Sequence, residues 1–344
     1  MPAAMPPSTI TELETALSEP TPAVVEMMSR LEGDMLILGV AGKMGPSLAR
    51  MAKRASEEAG KKTRVIGVSR FRTVEAKAEL AEHGVETITC DLLNERALKA
   101  LPEAPNIVYM AGMKFGSTGQ EPLTWAMNAW LPGLVCQKYP HSRIAAFSTG
   151  NVYGLVPVNG PGSRESDVPH PAGEYAMSCL GRERIFEHFA LSQGTRVSLI
   201  RLNYACDLRY GVLVDVATKV WQEQPVDVCM GWFNTIWQRD ANAQSLLSLE
   251  RAASPAWKVN LAGPAKLSVR AVAERFGVLF GKQVRIEGSE APDALLSDAS
   301  LSHATLDGWT LNEDQLVEWV AHWISRGGPL LGKPTHFESR DGKF

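Results

Sequence analysis

The sequence lacks the features that mark membrane proteins, exported proteins and disulfide-rich domains. No apolar run approaches the roughly 18 residues that a membrane-spanning helix requires, so we expect no membrane segment. The N-terminal residues contain no basic stretch followed by an apolar one, so we expect no secretory signal. The five cysteines are odd in number and form no C-x-x-C pair, which favours reduced thiols and a cytoplasmic protein over a disulfide framework.

The sequence also has no excess of charge of one sign and no metal-ligand spacing. There are 35 Lys and Arg residues against 38 Asp and Glu residues, which gives a formal net charge of −3. A surface that binds nucleic acid needs a basic excess, so we expect no nucleic-acid partner. The seven histidines follow neither the H-x-x-x-H nor the H-E-x-x-H spacing, so we predict no metal site.

What the sequence does contain is a regular alternation of apolar runs and amphipathic segments. The predicted strands are residues 35–40, 64–69, 86–90, 106–111, 143–148 and 197–202, and the predicted helices between them are 46–60, 74–84, 94–101, 121–137 and 173–191. Strands that alternate with helices form parallel sheets covered on both faces. The sequence therefore predicts an α/β fold with a doubly wound parallel sheet of the Rossmann type.

The same pattern divides the chain into four segments. They are a proline-punctuated N-terminal arm with helical pieces (1–33), a Rossmann domain (34–204), a smaller mixed α/β region (205–330) and a polar tail expected to be loop (331–344). The glycine-rich segment 39–45 favours a dinucleotide-binding role for the Rossmann domain. We assign the short strands 257–262 and 283–288 to the mixed α/β region.

A glycine-rich segment lies between the first predicted strand and the first predicted helix. Its glycines are Gly39, Gly42 and Gly45, and Lys43 and Met44 lie between the last two. Glycines permit a tight turn and let a pyrophosphate approach the backbone at a helix N-terminus, where the helix dipole favours an anion. The segment therefore predicts a dinucleotide site; the alternative is an ordinary turn between a strand and a helix.

The end of the second strand bears on the choice of cofactor. NAD sites usually place Asp or Glu there to bind the ribose 2′-hydroxyl, whereas this chain has Ser69 and Arg70, with Arg72 close by. Arginine pairs with a 2′-phosphate, so we predict NADP, with NAD as the alternative and solvated arginines as the other interpretation. Asp91 and Leu92, after the third strand, are candidates for contact with adenine, although Asp91 is equally suited to cap the following helix.

These motifs resemble the extended short-chain dehydrogenases/reductases, specifically the NAD(P)-dependent epimerase/dehydratase family, over roughly residues 34–330. The resemblance rests on the glycine turn, on Asp91 and Leu92, on Ala111, Gly112 and Lys114 after the fourth strand, on Asn128 as a structural asparagine, and on segment 147–154, which is similar to the family's S-S/T-x-x-V-Y-G motif. The resemblance implies that Ala111, Gly112 and Lys114 pass beside the cofactor, and that 205–330 is a substrate-binding region.

One catalytic position departs from the family. Thr149 takes the place of the catalytic Ser/Thr and Tyr175 that of the tyrosine, but Cys179 stands where Y-x-x-x-K has lysine. Only about one tyrosine in a thousand is ionised at pH 7, and a nearby cation favours the phenolate. Without a replacement cation, proton transfer should weaken by about 10- to 1000-fold. The candidate replacements are Lys114 and Arg182, which lies on the same helix face as Tyr175; a solvated or phosphate-pairing Arg182 is the alternative.

The resemblance implies an NADP-linked oxidoreductase or epimerase that acts on a sugar or sugar derivative by hydride transfer. In this hypothesis Tyr175 transfers the proton, Thr149 binds the substrate oxygen, and Lys114 or Arg182 supplies positive charge. Family members use the stretch after the sixth strand for substrate, which makes Asn203, Tyr204 and Arg209 the candidate substrate contacts. Tyr175 and Lys114 are also expected to contact the cofactor.

Alternatives of other classes stay open at this point. The missing lysine motivates an NADP-binding sensor or structural protein with little redox activity. Lyase or dehydratase chemistry would need an acid/base carboxylate that no motif identifies. A nucleophilic Cys179 is a further alternative to a small buried side chain. The family's four-helix interface implies a homodimer through helices 121–137 and 173–191.

Overall fold

The computed structural model describes residues 5–114, 116, 118–333 and 335–342. The helices are α1 (Ile10–Ser18), α2 (Pro22–Arg30), α3 (Gly45–Glu58), α4 (Val74–Glu82), α5 (Glu95–Lys99), α6 (Glu121–Trp125), α7 (Leu131–Lys138), α8 (Gly173–Gln193), α9 (Val212–Trp221), α10 (Gln238–Leu247), α11 (Val269–Phe280), α12 (Ser300–Thr305) and α13 (Glu313–Ser325). The longer strands are β1 (Met35–Leu38), β2 (Val65–Ser69), β3 (Glu86–Thr89), β4 (Asn106–Tyr109), β5 (Arg143–Thr149), β7 (Arg196–Leu202) and β12 (Trp257–Leu261). The two-residue strands are β6 (Val156–Pro157), β8 (Ala205–Cys206), β9 (Val226–Asp227), β10 (Trp232–Phe233), β11 (Ile236–Trp237), β13 (Leu267–Ser268), β14 (Ile286–Glu287) and β15 (Asp293–Ala294).

The longer strands form one parallel sheet in the order β12-β7-β5-β4-β1-β2-β3. The residues of β1 are fully buried, as expected for an apolar strand covered by helices on both faces. The prediction of a doubly wound parallel sheet is confirmed, and each of the six predicted strands takes part in it.

One strand lies in a different place from the one the sequence suggests. Trp257–Leu261 was expected in the substrate-binding region, but it pairs in parallel with β7 and forms an edge of the central sheet. That pairing involves residues about 60 positions apart, such as Val259 and Ile200. The central sheet therefore extends beyond the predicted domain boundary after residue 204. The segment 283–288 is reduced to β14, which pairs with β9.

The N-terminal arm is a packed part of the molecule. Thr9 and Glu12 form a capping box at the start of α1, and Thr21 caps α2, where Pro22 takes the first position. Both helices pack against α3, which follows the glycine turn. Their buried apolar residues are Leu13, Leu17, Val24, Met27 and Met28, each with no exposed surface. The arm thereby covers the outer face of the Rossmann domain.

Two helical segments are irregular. The helix predicted over 121–137 contains a π-helical turn at Ala126–Trp130, between α6 and α7. Helix α10 is followed by 3-10 geometry at Ser248–Arg251. Among the described residues, no helix combines the length and apolar character needed to cross a bilayer.

Candidate functional site

A cavity of about 260 Å³ lies at the carboxyl ends of β1, β4, β5 and β7. This edge is where open α/β sheets bind their ligands. The cavity is lined by Gly39, Gly42, Lys43, Met44, Met110, Lys114, Phe147, Ser148, Thr149, Asn151, Tyr175, Leu202, Asn203, Tyr204, Ala205, Tyr210, Gly211, Val212 and Thr335. The fold thus brings together the glycine turn, the three predicted catalytic residues and two of the three predicted substrate contacts.

The glycine turn fits the pyrophosphate of a dinucleotide. Gly39 has a positive φ of 90°, and a Cβ there would lie 2.7 Å from the backbone nitrogen of Ala111. A Cβ at Gly45 would lie 2.0 Å from the carbonyl oxygen of Val40. Helix α3 begins at Gly45, and its N-cap residue Met44 provides no capping side chain. The peptide N–H groups of the first turn of α3, other than at Pro46, which has none, are therefore available to an anion.

Lys43 extends from the glycine turn across the cavity. Its ammonium group donates to the carbonyl oxygen of Ala205 at 3.1 Å and lies 4.1 Å from the centroid of the Tyr210 ring. Burial lowers its pKa from the ordinary value, although the nearby Asp207 opposes that effect. Lys43 thus places a partly desolvated cation between the turn and the loop that follows β7.

The residues predicted to select the cofactor lie at the neighbouring strand ends. Ser69 ends β2, and Arg70 and Arg72 follow it on the surface without an ion pair to any described residue. Asp91 is exposed and accepts a hydrogen bond from the Leu93 backbone, 3.1 Å away. The cap of α5 is Asn94, so the alternative of Asp91 as the helix cap is wrong. Leu92 and Ala111 are buried in the core beside this edge, and Gly112 is exposed.

Thr149, Tyr175 and Cys179 lie close to one another in the site. The side-chain amide nitrogen of Asn151 donates to Thr149 Oγ1 at 2.9 Å. Thr149 and Tyr175 line the same cavity, and the buried Cys179, one helical turn further along α8, packs with Tyr175.

The surroundings of Tyr175 act against its ionisation. Burial raises the pKa of Tyr175, and the neighbouring Cys179 raises it further, while Arg182 and Thr149 lower it. Burial also raises the pKa of Cys179, which has no exposed surface. A buried thiol with a raised pKa is a poor nucleophile, so the alternative of a nucleophilic Cys179 is not supported.

Asn128 positions the segment that carries Lys114. Its Oδ1 accepts from the Met113 backbone nitrogen at 2.8 Å, and its Nδ2 donates to the Met113 carbonyl at 2.9 Å. The same Nδ2 donates to Ser178 of α8, also at 2.9 Å. Asn128 is fully buried, so these bonds fix the backbone next to Lys114 against α8.

Lys114 lies beside the candidate tyrosine. Its ammonium nitrogen is 5.9 Å from the centroid of the Tyr175 ring, and both residues line the cavity. Burial lowers the pKa of Lys114 to about 8. The ammonium group is therefore mostly charged at pH 7 and loses its charge as the pH rises through about 8.

Arg182 is a buried structural residue and also a source of positive charge. Its Nη1 donates to the Phe147 carbonyl at 2.7 Å, and its Nη2 donates to Asn128 Oδ1 at 2.6 Å. It is 6% exposed, so the alternative of a solvated arginine is wrong. Its guanidinium lowers the pKa values of Tyr175 and Cys179 from a fixed position behind them.

The three predicted substrate contacts differ in their placement. Asn203 and Tyr204 line the cavity, and Tyr204 has a positive φ of 46°. Arg209 is not among the described residues that line it, because its guanidinium is bound to Glu14 of α1 at 2.6 Å and to Asp207 at 3.0 Å. Its charge is thus already compensated by two carboxylates.

Five further cavity residues were not predicted individually: Ser148, Asn151, Tyr210, Val212 and Thr335. Ser148 and Asn151 lie within the predicted segment 147–154. Tyr210, Val212 and Thr335 belong to no motif, and Thr335 lies ten residues after the last helix. Within the described chain, the lining includes no Asp or Glu, and no group of three or more His, Cys, Asp or Glu side chains is arranged to hold a metal ion.

Comparison with known proteins agrees with this geometry. The model of the NAD dependent epimerase/dehydratase family matches residues 35–205. The comparison with curated protein sequences gave no match.

Solved structures share the fold. MoeE5 in complex with UDP-glucose and NAD is 17% identical, with a TM-score of 0.67 over 86% of this chain and 99% of that chain. UDP-glucuronic acid 4-epimerase from Bacillus cereus, in complex with UDP-glucuronic acid and NAD, is 15% identical, with a TM-score of 0.69 over 85% of this chain and 99% of that one. dTDP-glucose 4,6-dehydratase from Bacillus anthracis, in complex with NAD, is 15% identical, with a TM-score of 0.71 over 86% and 97% of the two chains.

Proposed function

Because residues 35–205 belong to the NAD-dependent epimerase/dehydratase family, we propose that the protein is an NAD(P)-dependent enzyme that transfers hydride at a carbinol carbon of a sugar or sugar derivative. The observation that carries the proposal is the cavity in which the glycine turn meets Thr149, Tyr175 and Lys114. A bound nicotinamide ring would accept the hydride and, in an epimerisation, return it. The chain's own residues must hold the dinucleotide, orient the substrate oxygen and move its proton.

The cofactor we propose is NADP, with NAD as the alternative. The N-terminus of α3, the glycine turn and Lys43 would hold the pyrophosphate, since they combine peptide N–H groups with a cation. Arg70 and Arg72 are exposed at the end of β2 without a carboxylate that would repel a 2′-phosphate. Asp91 and Leu92, with Ala111 and Gly112, would flank the adenine and the remainder of the dinucleotide.

Proton transfer at the substrate oxygen falls to Tyr175. Thr149 and Tyr175 line the same cavity, so one substrate oxygen can contact both hydroxyl groups. Lys114 takes over the electrostatic part of the missing lysine's role, because its ammonium lies beside the ring and it lines the same cavity. Arg182 adds a fixed positive charge behind the phenol. Arg182 lowers the pKa of Tyr175, although burial and Cys179 raise it by more.

A nucleotide sugar is the substrate class we propose. Similar structures hold UDP-glucose and UDP-glucuronic acid. Asn203 and Tyr204 supply polar groups at the cavity wall. Redox chemistry or epimerisation is favoured over dehydration, because the described lining offers no carboxylate to act as acid or base. We further propose a cytoplasmic homodimer.

The test is turnover of nucleotide sugars with a matched pair of tyrosine variants. UDP-glucose, UDP-glucuronic acid and dTDP-glucose are incubated with NADP or NAD, and reduced nicotinamide and sugar products are measured. Tyr175→Phe should lower kcat by about 100- to 1000-fold, since a positioned acid/base group contributes that much. Tyr139→Phe removes a buried hydroxyl bound to the Pro102 carbonyl outside the cavity and should leave kcat unchanged. Equal turnover by both variants contradicts the tyrosine mechanism.

A second candidate function is favoured by the raised pKa of Tyr175. In this alternative the protein binds NADP as a sensor or structural partner and turns over little or nothing. It predicts tight dinucleotide binding by the wild-type chain, no product from any of the sugars, and no effect of Tyr175→Phe on either quantity. Measurable turnover that depends on Tyr175 eliminates it.

A further inference from the structure

The segment after the last helix runs from the cavity wall to the beginning of helix α8. We call residues 335–342 the C-terminal strap. Thr335, at one end, is buried and lines the cavity. Gly342, at the other end, packs against Ala172 and Gly173, immediately before Tyr175. The strap has loop geometry, as predicted, but it is closely packed along its length.

The Thr335 end is bound to α9, the helix whose first residue lines the cavity. The backbone nitrogen and the hydroxyl of Thr335 both donate to Asp215 Oδ2, at 2.9 and 2.6 Å. Asp215 belongs to the first turn of α9, which begins at the lining residue Val212. Two bonds to a half-buried carboxylate hold Thr335 at the wall.

The middle of the strap is anchored by apolar and charged contacts. The Phe337 ring is buried, 6.4 Å between centroids from Phe233 in the core. Glu338 forms an ion pair with Lys219 of α9 at 2.7 Å. Arg340 forms an ion pair with the carboxylate of Asp293 and donates to its carbonyl oxygen at 3.0 Å. Phe337, Glu338 and Arg340 thus each attach the strap to a different part of the protein.

The Gly342 end meets α8 backbone to backbone. A Cβ at Gly342 would lie 2.2 Å from the Ala172 carbonyl oxygen, and a Cβ at Gly173 would lie 2.4 Å from the Gly342 carbonyl oxygen. Neither position has room for a side chain. Ala172 is the N-cap of α8 and provides no capping side chain, so the strap packs where the helix has no side-chain cap.

We propose that the C-terminal strap is part of the active site. Thr335 contacts the bound substrate and helps to determine specificity, and the Gly342 end is a positioning element for the first turn of α8 and thus for Tyr175. The substrate contact rests on the proposed function, whereas the positioning of α8 is a property of the fold. The strap lies outside residues 35–205, the part of the chain that the family model matches.

The positioning is tested by hydrogen exchange on two glycine variants of the full-length chain. Gly342→Ala forces a methyl group into the Ala172 carbonyl, whereas Gly332→Ala, also at positive φ and close by in the chain, meets open space. Amide exchange in residues 173–180 should rise on the order of tenfold in Gly342→Ala and stay at the wild-type rate in Gly332→Ala. Arg340→Ala, which removes the attachment to Asp293, should give the same increase by a milder change.

The effect on the site is tested by separating kcat from KM, with UDP-glucose as the probe and NADP as cofactor. Gly342→Ala should lower kcat about tenfold because Tyr175 is displaced, and the NADP Kd should stay within about twofold. Thr335→Val keeps the side-chain shape but loses the hydroxyl, so it should raise KM about tenfold with a smaller effect on kcat.

Equal exchange rates in Gly342→Ala and Gly332→Ala overturn the positioning of α8, whatever the substrate. An unchanged KM in Thr335→Val overturns the substrate contact. A wild-type chain that turns over no nucleotide sugar contradicts the proposed function and the Thr335 contact together, while the exchange measurement still decides the role of Gly342.

Discussion

The ammonium nitrogen of Lys114 lies 5.9 Å from the centroid of the Tyr175 ring, in a cavity that both side chains line. Cys179, which has no exposed surface, stands one helical turn after Tyr175, where the family resemblance led us to expect a lysine. The cation beside Tyr175 comes from a different element, the loop after β4, and Asn128 holds that loop against α8.

Lys114 should control the pH dependence of turnover. Its pKa is lowered from 10.5 to about 8, so the ammonium is present below that pH and is lost as pH rises through it. Activity should fall above about pH 8. Lys114→Met should lower kcat about 10- to 100-fold and remove the decline, and Lys114→Arg should keep activity to higher pH. The measurement is kcat/KM against pH; a wild-type profile in Lys114→Met contradicts the assignment.

Arg182, unlike Lys114, should contribute to the free energy of unfolding. Arg182→Met leaves the Phe147 carbonyl and Asn128 Oδ1 buried without their donor, and the free energy of unfolding should drop by about 2–5 kcal/mol. Arg184→Met is the control on the same helix, because Arg184 is exposed and its pair with Glu187 is worth less than about 1 kcal/mol. Urea unfolding measures both. Similar decreases in the free energy of unfolding in the two variants would contradict the structural role of Arg182.

Arg70 should discriminate between the two cofactors. A charge-assisted bond to a 2′-phosphate is worth about 1.5–3 kcal/mol, so Arg70→Ala should weaken NADP binding by about 10- to 100-fold. NAD lacks that phosphate, so its affinity should stay within about twofold. Titration calorimetry with both dinucleotides decides the point. Equal affinities for NADP and NAD in the wild-type chain would remove the argument for NADP.

The homodimer should use the exposed apolar residues around the π-helical turn. Trp130 is 60% exposed there, and Leu123, Trp125 and Met177 are also partly exposed. Phe186 and Phe189 of α8 are buried in the core and are therefore not available to this interface. Trp130→Glu should convert a dimer to a monomer in sedimentation velocity. Val278→Glu, at a still more exposed apolar position on α11, should not change the sedimentation coefficient, and a monomeric wild-type chain contradicts the proposal.

The contacts of Asn128 and Arg182 show which features of the site could be predicted from the sequence. Helical periodicity places Arg182 on the same face as Tyr175, so its presence near the site was predictable. Its bonds to Phe147 and Asn128 were not, because these acceptors lie about 35 and 54 positions away in the chain. Arg209 is the opposite case: its position after β7 suggested a ligand contact, but Glu14 of the N-terminal arm binds it.

The sequence by itself determined the order of strands and helices, the glycine turn and the cysteine at position 179. Each of these is encoded within a few consecutive residues, as apolar periodicity, backbone freedom or the identity of one side chain. Only the tertiary structure decided that Lys114 lies beside Tyr175, that β12 joins the central sheet, and that Thr335 reaches the cavity. These outcomes depend on contacts between distant segments, and no local pattern specifies which buried polar groups will find each other once the chain is folded.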